Sequence, residues 1–265
     1  MVINREVGNR YAEGNNLGNL GMAYLDLGDA RKAIEFQEKA LIIDREFGDQ
    51  SGEAAALGNL GMAYAALGAN IRAIMFYKQA LSIQHKIGNN SGEGDNLGNL
   101  ALAYASQGDF RKAIEFQEKA LTIAHQIGDR RKEGAYLNNL GIDYSKLGDV
   151  DKAIEFHEKA LVIAQQIEDQ SGQAHAYGNI GLAQATHGDG TKAIEFYEKS
   201  LSIFRKIGDR VGEGKSLAHI GVVLYQLGDK QKANTLMQQA LSIFVAMGSP
   251  SANWAKKKLQ EWEQG

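Results

Sequence analysis

The amino-acid sequence predicts an all-α protein, an α-solenoid of tandem antiparallel helix pairs. Three observations predict it. The segment from Arg31 to Leu41 recurs unchanged from Arg111 to Leu121, two periods of 40 residues later. The 265 residues contain one proline, which suits nearly continuous helix. Apolar residues recur with helical spacing inside each period. A fixed period of this length is typical of stacked-repeat proteins, whose function normally resides on an extended surface.

The composition excludes several classes of function. A net charge of −3 offers no basic excess for a phosphate backbone, so we expect no nucleic-acid partner. The absence of cysteine excludes disulfides and thiolate metal sites. No apolar run approaches the roughly 18 residues of a membrane helix, and no signal peptide opens the sequence. We therefore expect a cytoplasmic protein that does not contact a membrane.

Six repeats align on one small residue that follows a leucine or isoleucine, and each contains a helix A and a helix B. The aligned residues are Gly21, Gly61, Ala101, Gly141, Gly181 and Gly221. The predicted repeats span residues 10–48, 49–88, 89–128, 129–168, 169–208 and 209–248. Residues 1–9 precede them as a partial helix B or an N-terminal cap, and residues 249–265 follow as a C-terminal capping helix.

Glycine and aspartate mark the helix ends within each repeat. Helix A ends at a glycine such as Gly28, which can adopt the left-handed conformation of a C-cap. Asp29 follows it and is a preferred N-cap whose charge suits the dipole of helix B. The junction from helix B to the next helix A uses the same pattern, except that Glu168 replaces the glycine in the fourth repeat.

Helix B carries one apolar face and one polar face. Ala33, Ile34, Phe36, Ala40 and Leu41 follow the helical period and predict the buried side. The opposite face repeats a glutamate four residues before a lysine, as in Glu35 and Lys39. Such pairs contribute only about 0.3–0.5 kcal/mol each, so we interpret this face as solvated.

The two ends of the chain differ from the central repeats. Residues 3–9 align with residues 43–49, so the chain starts inside what should be a helix B. This favours a fragment of a longer array over a short N-terminal cap, and we expect uncovered ends to associate. At the other end Pro250 can open a helix, and residues 251–262 predict a polar capping helix.

The pattern Leu17-x-x-Leu20-Gly21-x-x-Tyr24, followed by Gly28, Ala33 and Ala40, resembles the tetratricopeptide repeat (TPR). The 40-residue variant here is longer than the usual motif, and it resembles the repeats of LGN/Pins-type adaptors and of bacterial signalling-associated arrays. The resemblance implies a right-handed superhelix whose inner groove is lined by helix A. It also implies a protein or peptide ligand and no cofactor.

An asparagine precedes the aligned leucine or isoleucine in five repeats, and a histidine in the sixth. The residues are Asn19, Asn59, Asn99, Asn139, Asn179 and His219. A carboxamide offers donors and acceptors, so such a row can hold the main chain of an extended peptide. In families that the pattern resembles, the equivalent asparagines contact the ligand backbone. The alternative is that these amides bond to neighbouring helices and stabilise the stacking of repeats.

Other positions of helix A predict contacts that would set specificity. Met22 and Met62 begin an apolar row that is either a groove lining or part of the core. Mid-helix glycines at Gly18, Gly58, Gly98 and Gly178 admit the close approach of a ligand or of the next helix. Charges vary along the presumed groove, with Asp26 and Asp95 in the first half and Lys146, His175 and Lys215 in the second.

The sequence offers no candidate for catalysis or metal binding. The repeat-equivalent His85 and His125 would lie about one helix-packing distance, ~10 Å, apart, which is too far to share a metal. No Ser/His/Asp set has a plausible geometry across distant repeats. We therefore predict a non-enzymatic scaffold that binds an extended or helical peptide. The alternative is a structural spacer or self-association module from a larger multidomain signalling protein.

Overall fold

The computed structural model describes residues 2–264 as an all-α protein, and it describes side chains from Arg10 to Gln264. Within that range the chain forms thirteen helices and no strand. Consecutive helices are joined by short turns and pack in pairs. The predicted fold class, a solenoid of antiparallel helix pairs, is therefore confirmed. The chain divides into two compact units, Met1–Asp129 and Arg130–Gly265.

Unit 1 contains three helix pairs. Its helices are α1 (Val2–Asp26), α2 (Ala30–Phe47), α3 (Gln50–Ala66), α4 (Asn70–Lys86), α5 (Asn90–Ser106) and α6 (Phe110–Gln126). The odd-numbered members are the helices A of their repeats, and α3 contacts both α1 and α5. Residues 2–9 continue directly into the first helix A, because α1 has no break at Gly8. The side chains of residues 2–9 lie outside the described part of the chain.

Unit 2 contains three helix pairs and one further helix. Its helices are α7 (Arg130–Lys146), α8 (Val150–Gln166), α9 (Gln170–His187), α10 (Gly190–Ile207), α11 (Arg210–Gln226), α12 (Lys230–Ala246) and α13 (Ser251–Gln264). Here the helices A are α7, α9 and α11, and α9 contacts the other two. Helix α13 packs on α12, buries Ala255 completely and stacks Trp262 on Tyr225 with ring centroids 4.4 Å apart.

The predicted helix caps are present. The side chain of Asp29 accepts a hydrogen bond from the backbone N–H of Lys32, and Asp49 accepts one from Gly52. Equivalent bonds cap the helices that follow Asp109, Asp149, Asp169, Asp189, Asp209 and Asp229. The glycine after helix A has the expected positive φ, for example 84° at Gly148. Glu168 takes the same conformation with φ 56°, which is costly for a side chain with a Cβ.

The core of each unit lies between helix A and helix B. Leu60, Leu100 and Leu140, which precede the aligned small residue, are fully buried. The aligned glycines face a buried side chain on helix B, such as Tyr77 beneath Gly61 and His157 beneath Gly141. This packing turns the opposite side of helix A outward.

Candidate binding surface

Each helix A exposes one stripe of side chains. In α9 the stripe runs through His175, Asn179, Leu182 and Thr186, which are separated by four, three and four residues. Residues three and four apart are neighbours on an α-helix, so these side chains share one face. Because neighbouring helices A are in contact within a unit, their stripes lie side by side. We call the resulting surface of each unit its asparagine face.

The asparagine faces are defined by twelve residues in each unit, all exposed or half-buried. In unit 1 they are Asn15, Asn19, Met22 and Asp26 of α1, Ala55, Asn59, Met62 and Ala66 of α3, and Asp95, Asn99, Leu102 and Ser106 of α5. In unit 2 they are Ala135, Asn139, Ile142 and Lys146 of α7, His175, Asn179, Leu182 and Thr186 of α9, and Lys215, His219, Val222 and Gln226 of α11.

The asparagines of the row differ in their hydrogen bonding. Asn179 donates from Nδ2 to Oδ1 of Asn138 on the neighbouring helix A, over 2.8 Å. Among residues 10–264 the structure gives the side chains of Asn19, Asn59, Asn99 and Asn139 no hydrogen bond to the protein. Four of the five amides are thus open to an external partner, whereas Asn179 also makes the inter-repeat contact that the alternative interpretation requires.

The apolar row on the asparagine face lies at the surface. Leu102, Ile142 and Leu182 are 51%, 38% and 46% exposed, although they occupy regular helix positions. Met22 and Met62, at the equivalent positions, are half-buried. The row is therefore a lining of the asparagine face, because a core position would not leave large apolar side chains in water.

A hollow of about 140 Å³ lies between α9 and α11 in unit 2. We call it the α9–α11 hollow. It brings together four residues that the sequence predicted for the site: His175, Asn179, Lys215 and His219. Leu182 lines the same hollow and adds an apolar wall. The sequence-predicted Lys146 lies elsewhere, in the last turn of α7.

His219 forms a wall of this hollow. Its ring stacks on that of Tyr197 with centroids 5.1 Å apart and an interplanar angle of 10°. Burial lowers the pKa of His219, and the charge of nearby Lys215 lowers it further. Lys215 is exposed, so the hollow presents one cation beside a histidine that favours its neutral form.

A second hollow of about 170 Å³ lies between α7 and α9. We call it the α7–α9 hollow. Arg131, Asn138 and His175 line it, so His175 borders both hollows. The edge of its ring meets the ring of Phe204, with centroids 5.2 Å apart and an interplanar angle of 87°. Asn138 was not predicted as a site residue. The available signal was its departure from the glycine that four other repeats carry at this position.

The two units expose opposite charges on their helices A. The exposed ionisable side chains of α7, α9 and α11 are Arg131, Lys146, His175, His187, Arg210 and Lys215, with no aspartate or glutamate among them. The asparagine face of unit 1 instead carries Asp26 and Asp95, both exposed. The charge contrast expected from the sequence is therefore retained at the surface.

The mid-helix glycines differ in how closely they are packed: a Cβ on Gly58 would lie only 3.3 Å from Oδ1 of Asn96, whereas Gly18 and Gly178 have more room. A Cβ on Gly18 would lie 3.9 Å from the Cβ of Ala40, and one on Gly178 would lie 3.4 Å from Oγ of Ser200. Both are ordinary contact distances, so the neighbouring helices do not require glycine at these two positions.

Residues 2–264 contain no helix with the length and apolar character needed to span a bilayer. The same part of the chain contains no group of three or more histidine, aspartate or glutamate side chains arranged to hold a metal ion.

The chain matches the protein-family model described as tetratricopeptide repeat, at residues 11–86, 92–166, 133–206 and 172–244. No curated protein sequence matches it. Among solved structures, BtubC (BKLC) from P. vanneervenii is 22% identical, with a TM-score of 0.62, over 94% of this chain and 93% of that chain.

Two other solved structures resemble the chain. One is a Signal Transduction ATPase with Numerous Domains (STAND) protein with a tetratricopeptide repeat sensor from Pyrococcus horikoshii. It is 18% identical, covers 93% of this chain and 42% of that one, and has a TM-score of 0.74. The other is a Rap protein complexed with Competence and Sporulation Factor, 18% identical over 95% of this chain and 75% of that one, with a TM-score of 0.67. At these identities the similarity concerns the fold and not the ligand.

Proposed function

Because the chain belongs to the tetratricopeptide repeat family, we propose that it is a non-catalytic scaffold that binds an extended or helical peptide segment. The ligand lies on an asparagine face. The observation that carries this proposal is the exposed apolar row, with Leu102 and Ile142 51% and 38% exposed beside the open amides of Asn99 and Asn139. Apolar side chains rimmed by polar groups are typical of protein-interaction sites.

Each part of the face has a separate role in this proposal. Asn59 and Asn99 hold a ligand main chain on the face of unit 1, and Asn139 does so on the face of unit 2, because a carboxamide can both donate to a carbonyl and accept from an N–H group. The apolar row takes apolar side chains of the ligand. Opposite charges attract and speed encounter, so unit 2 favours an acidic segment and unit 1 a basic one.

Relatives with the same fold support a binding role. A structurally similar Rap protein forms a complex with Competence and Sporulation Factor, and a similar STAND protein uses its tetratricopeptide repeats as a sensor. Both descriptions concern those proteins.

The test is a peptide-display selection on the wild-type chain, counter-screened on the double variant Asn99→Ala/Asn139→Ala. Asn253→Ala serves as the matched control, because Asn253 is an exposed asparagine on α13, away from the asparagine faces. We expect one motif enriched on the wild type and the control and lost on the double variant. Circular dichroism and thermal melting of all three proteins separate lost binding from lost structure.

Two outcomes would contradict the proposal. A motif retained equally on the double variant would place the ligand away from these amides. If the selection enriches no motif on a chain that is shown to be folded, the proposal of peptide binding is wrong. A third outcome, a lower melting temperature of the double variant together with its loss of binding, would favour the stacking role of the amides.

A second function, self-association through the end of the array, is favoured by one observation. Leu20 is 45% exposed, whereas the equivalent Leu60, Leu100 and Leu140 are fully buried. The difference arises because Leu60 and Leu100 pack against apolar side chains of the preceding helix B, α2 and α4 respectively, and the outer face of α1 has no such cover among the described residues. Analytical ultracentrifugation should then give a dimer for the wild type and a monomer for Leu20→Glu. A wild-type monomer at high concentration would refute this second function.

A further inference from the structure

Three side chains in unit 2 form a hydrogen-bond chain from the core to the asparagine face. Oδ1 of Asn138 accepts the Nδ2–H of Asn179 over 2.8 Å and lies 3.0 Å from Nδ1 of His157. A carboxamide oxygen has two lone pairs, so it can take both donors when His157 carries its proton on Nδ1. Both lone pairs of Oδ1 are then used.

The inner end of this chain is closely packed. His157 is 2% exposed and lies beneath Gly141, where an added Cβ would be 2.5 Å from Cε1 of the ring. A ring held this closely keeps Nδ1 directed at Asn138. Asn138 in turn holds one N–H of Asn179, so the orientation of both amides is set from the core outward.

The arrangement leaves at least one free donor and one free acceptor. Asn138 keeps its NH₂ group, which donates, and Asn179 keeps its carbonyl oxygen, which accepts. If all three orientations were reversed, the donor and the acceptor would exchange places but one of each would remain. The bonded pair therefore always offers a donor beside an acceptor.

The position of the pair on the surface is equally specific. Asn138 lines the α7–α9 hollow and Asn179 lines the α9–α11 hollow, so their hydrogen bond stands between the two hollows. In an extended peptide the N–H and C=O groups of one residue point to the same side. A ligand that passes from one hollow to the other can thus present both groups to the pair.

We infer that Asn138 and Asn179 together bind the N–H and C=O of a single ligand residue, and that His157 is the residue that positions them. This inference rests on the proposed peptide-binding function and identifies the place where the main chain is held most firmly. The other repeats lack the device, because the position of Asn138 is held there by Gly18, Gly58, Gly98, Gly178 or Ala218, none of which has a carboxamide.

The first test needs no ligand. NMR relaxation of side-chain amides should give Asn179 a high order parameter, near the value of about 0.85 seen for rigid backbone, and should give Asn59 a value below about 0.6. Asn138→Gly should lower the Asn179 value to that of Asn59. The substitution suits the fold, since four other repeats carry glycine there. Equal order parameters for Asn179 and Asn59 in the wild type would overturn the inference.

The second test uses two small probes, N-acetyl-alanine N-methylamide and its analogue methylated on the alanine nitrogen. The first has the N–H and C=O of one residue, and the second lacks that N–H. Titrations followed at the Asn138 and Asn179 side-chain amides should show about fivefold weaker binding of the methylated probe, the loss expected for one hydrogen bond. The preference should vanish in Asn138→Gly.

His157→Tyr tests the positioning role. Tyr77 and Tyr197 occupy the equivalent position beneath Gly61 and Gly181, so the fold accommodates this side chain. Without Nδ1–H, the Asn179 order parameter and the preference for the unmethylated probe should both fall. An unchanged order parameter and an unchanged probe preference would show that His157 does not position the two amides.

The probe titrations also separate this inference from the general one. If the display selection yields a peptide but the two probes bind equally well, peptide binding is supported and the joint binding of one residue by Asn138 and Asn179 is wrong. If selection yields nothing, the relaxation and probe titrations still decide whether the pair is fixed and selective.

Discussion

The ring of Tyr77 on α4 packs directly against the backbone of Gly61 on α3. A Cβ built on Gly61 would lie 2.5 Å from Cε1 of Tyr77, closer than real side chains approach. The same relationship recurs between Gly181 and Tyr197, at 2.9 Å. Helix A therefore carries no side chain at the point where a large ring of helix B packs against its backbone.

Gly61→Ala should lower the free energy of unfolding by about 1–3 kcal/mol, because the new methyl group displaces a buried ring. Gly18→Ala, also in a helix A of unit 1, should instead raise it by about 0.5–1 kcal/mol, because the open site gains helix propensity. Urea unfolding of both variants checks the pair. Similar losses in both would mean that close packing is not what distinguishes the two glycines.

Glu168→Gly should stabilise unit 2 by about 1 kcal/mol, because glycine adopts the left-handed conformation without the Cβ penalty. Glu168 has φ 56° at a position where other repeats carry glycine. Gly148→Ala, at φ 84°, is the converse control and should be destabilising. Thermal melting measures both, and a lower melting temperature for Glu168→Gly would contradict the strain argument.

His157 should make unit 2 sensitive to acid. Burial lowers its pKa from 6.5 to about 4, so between these values the unfolded state binds more protons than the folded state. Stability is then complete above pH 6.5 and falls as the pH drops towards 4, by roughly 3 kcal/mol in total. His157→Tyr should remove this part of the loss between pH 7 and pH 4, measured by urea unfolding.

The exposed His187 provides the control for that measurement. His187→Gln should retain the part of the acid loss that comes from burial of His157, because the two side chains lie on different helices and His187 is exposed. An equal reduction of the acid loss in both variants would show that burial of His157 is not its source.

Asp143 should lower the stability of the protein as the pH rises, which is the opposite of the effect of His157. Burial raises its pKa from 3.8 to about 6, so the folded state binds more protons between these values, and its favourable contribution is lost as the pH rises through 6. Asp143→Ala should therefore stabilise the protein by roughly 2 kcal/mol at pH 7.5 and by little at pH 4. Alanine fits, because Ala63, Ala103 and Ala183 occupy the equivalent position.

Guanidinium unfolding at the two pH values checks this prediction, with the exposed Asp151→Ala as control. A gain that does not depend on pH would mean that Asp143 is destabilising for a reason other than its charge.

Part of the candidate site could be predicted from the sequence. The repeat-equivalent Asn59 and Asn99 share a position in helix A, and the structure places that position on an outward-facing stripe. Asn138 was missed because a single departure from glycine does not reveal which helix it will face. His219 was predicted with the amide row, and its stacking on Tyr197 depends on a neighbour 22 residues away.

The sequence by itself determined the 40-residue period, the order of helices, their capping residues and their buried faces. The helices, their caps and their buried faces depend on residues three or four positions apart, so a short window of the chain reveals them, and the period follows from comparing the sequence with itself 40 residues further on. Only the tertiary structure decided that Leu102 is exposed while Leu100 is buried, and that Asn138 meets Asn179. Those outcomes depend on the packing of neighbouring helices, where a side chain meets residues tens of positions away. The local periodicity of the sequence does not specify which distant residues come into contact.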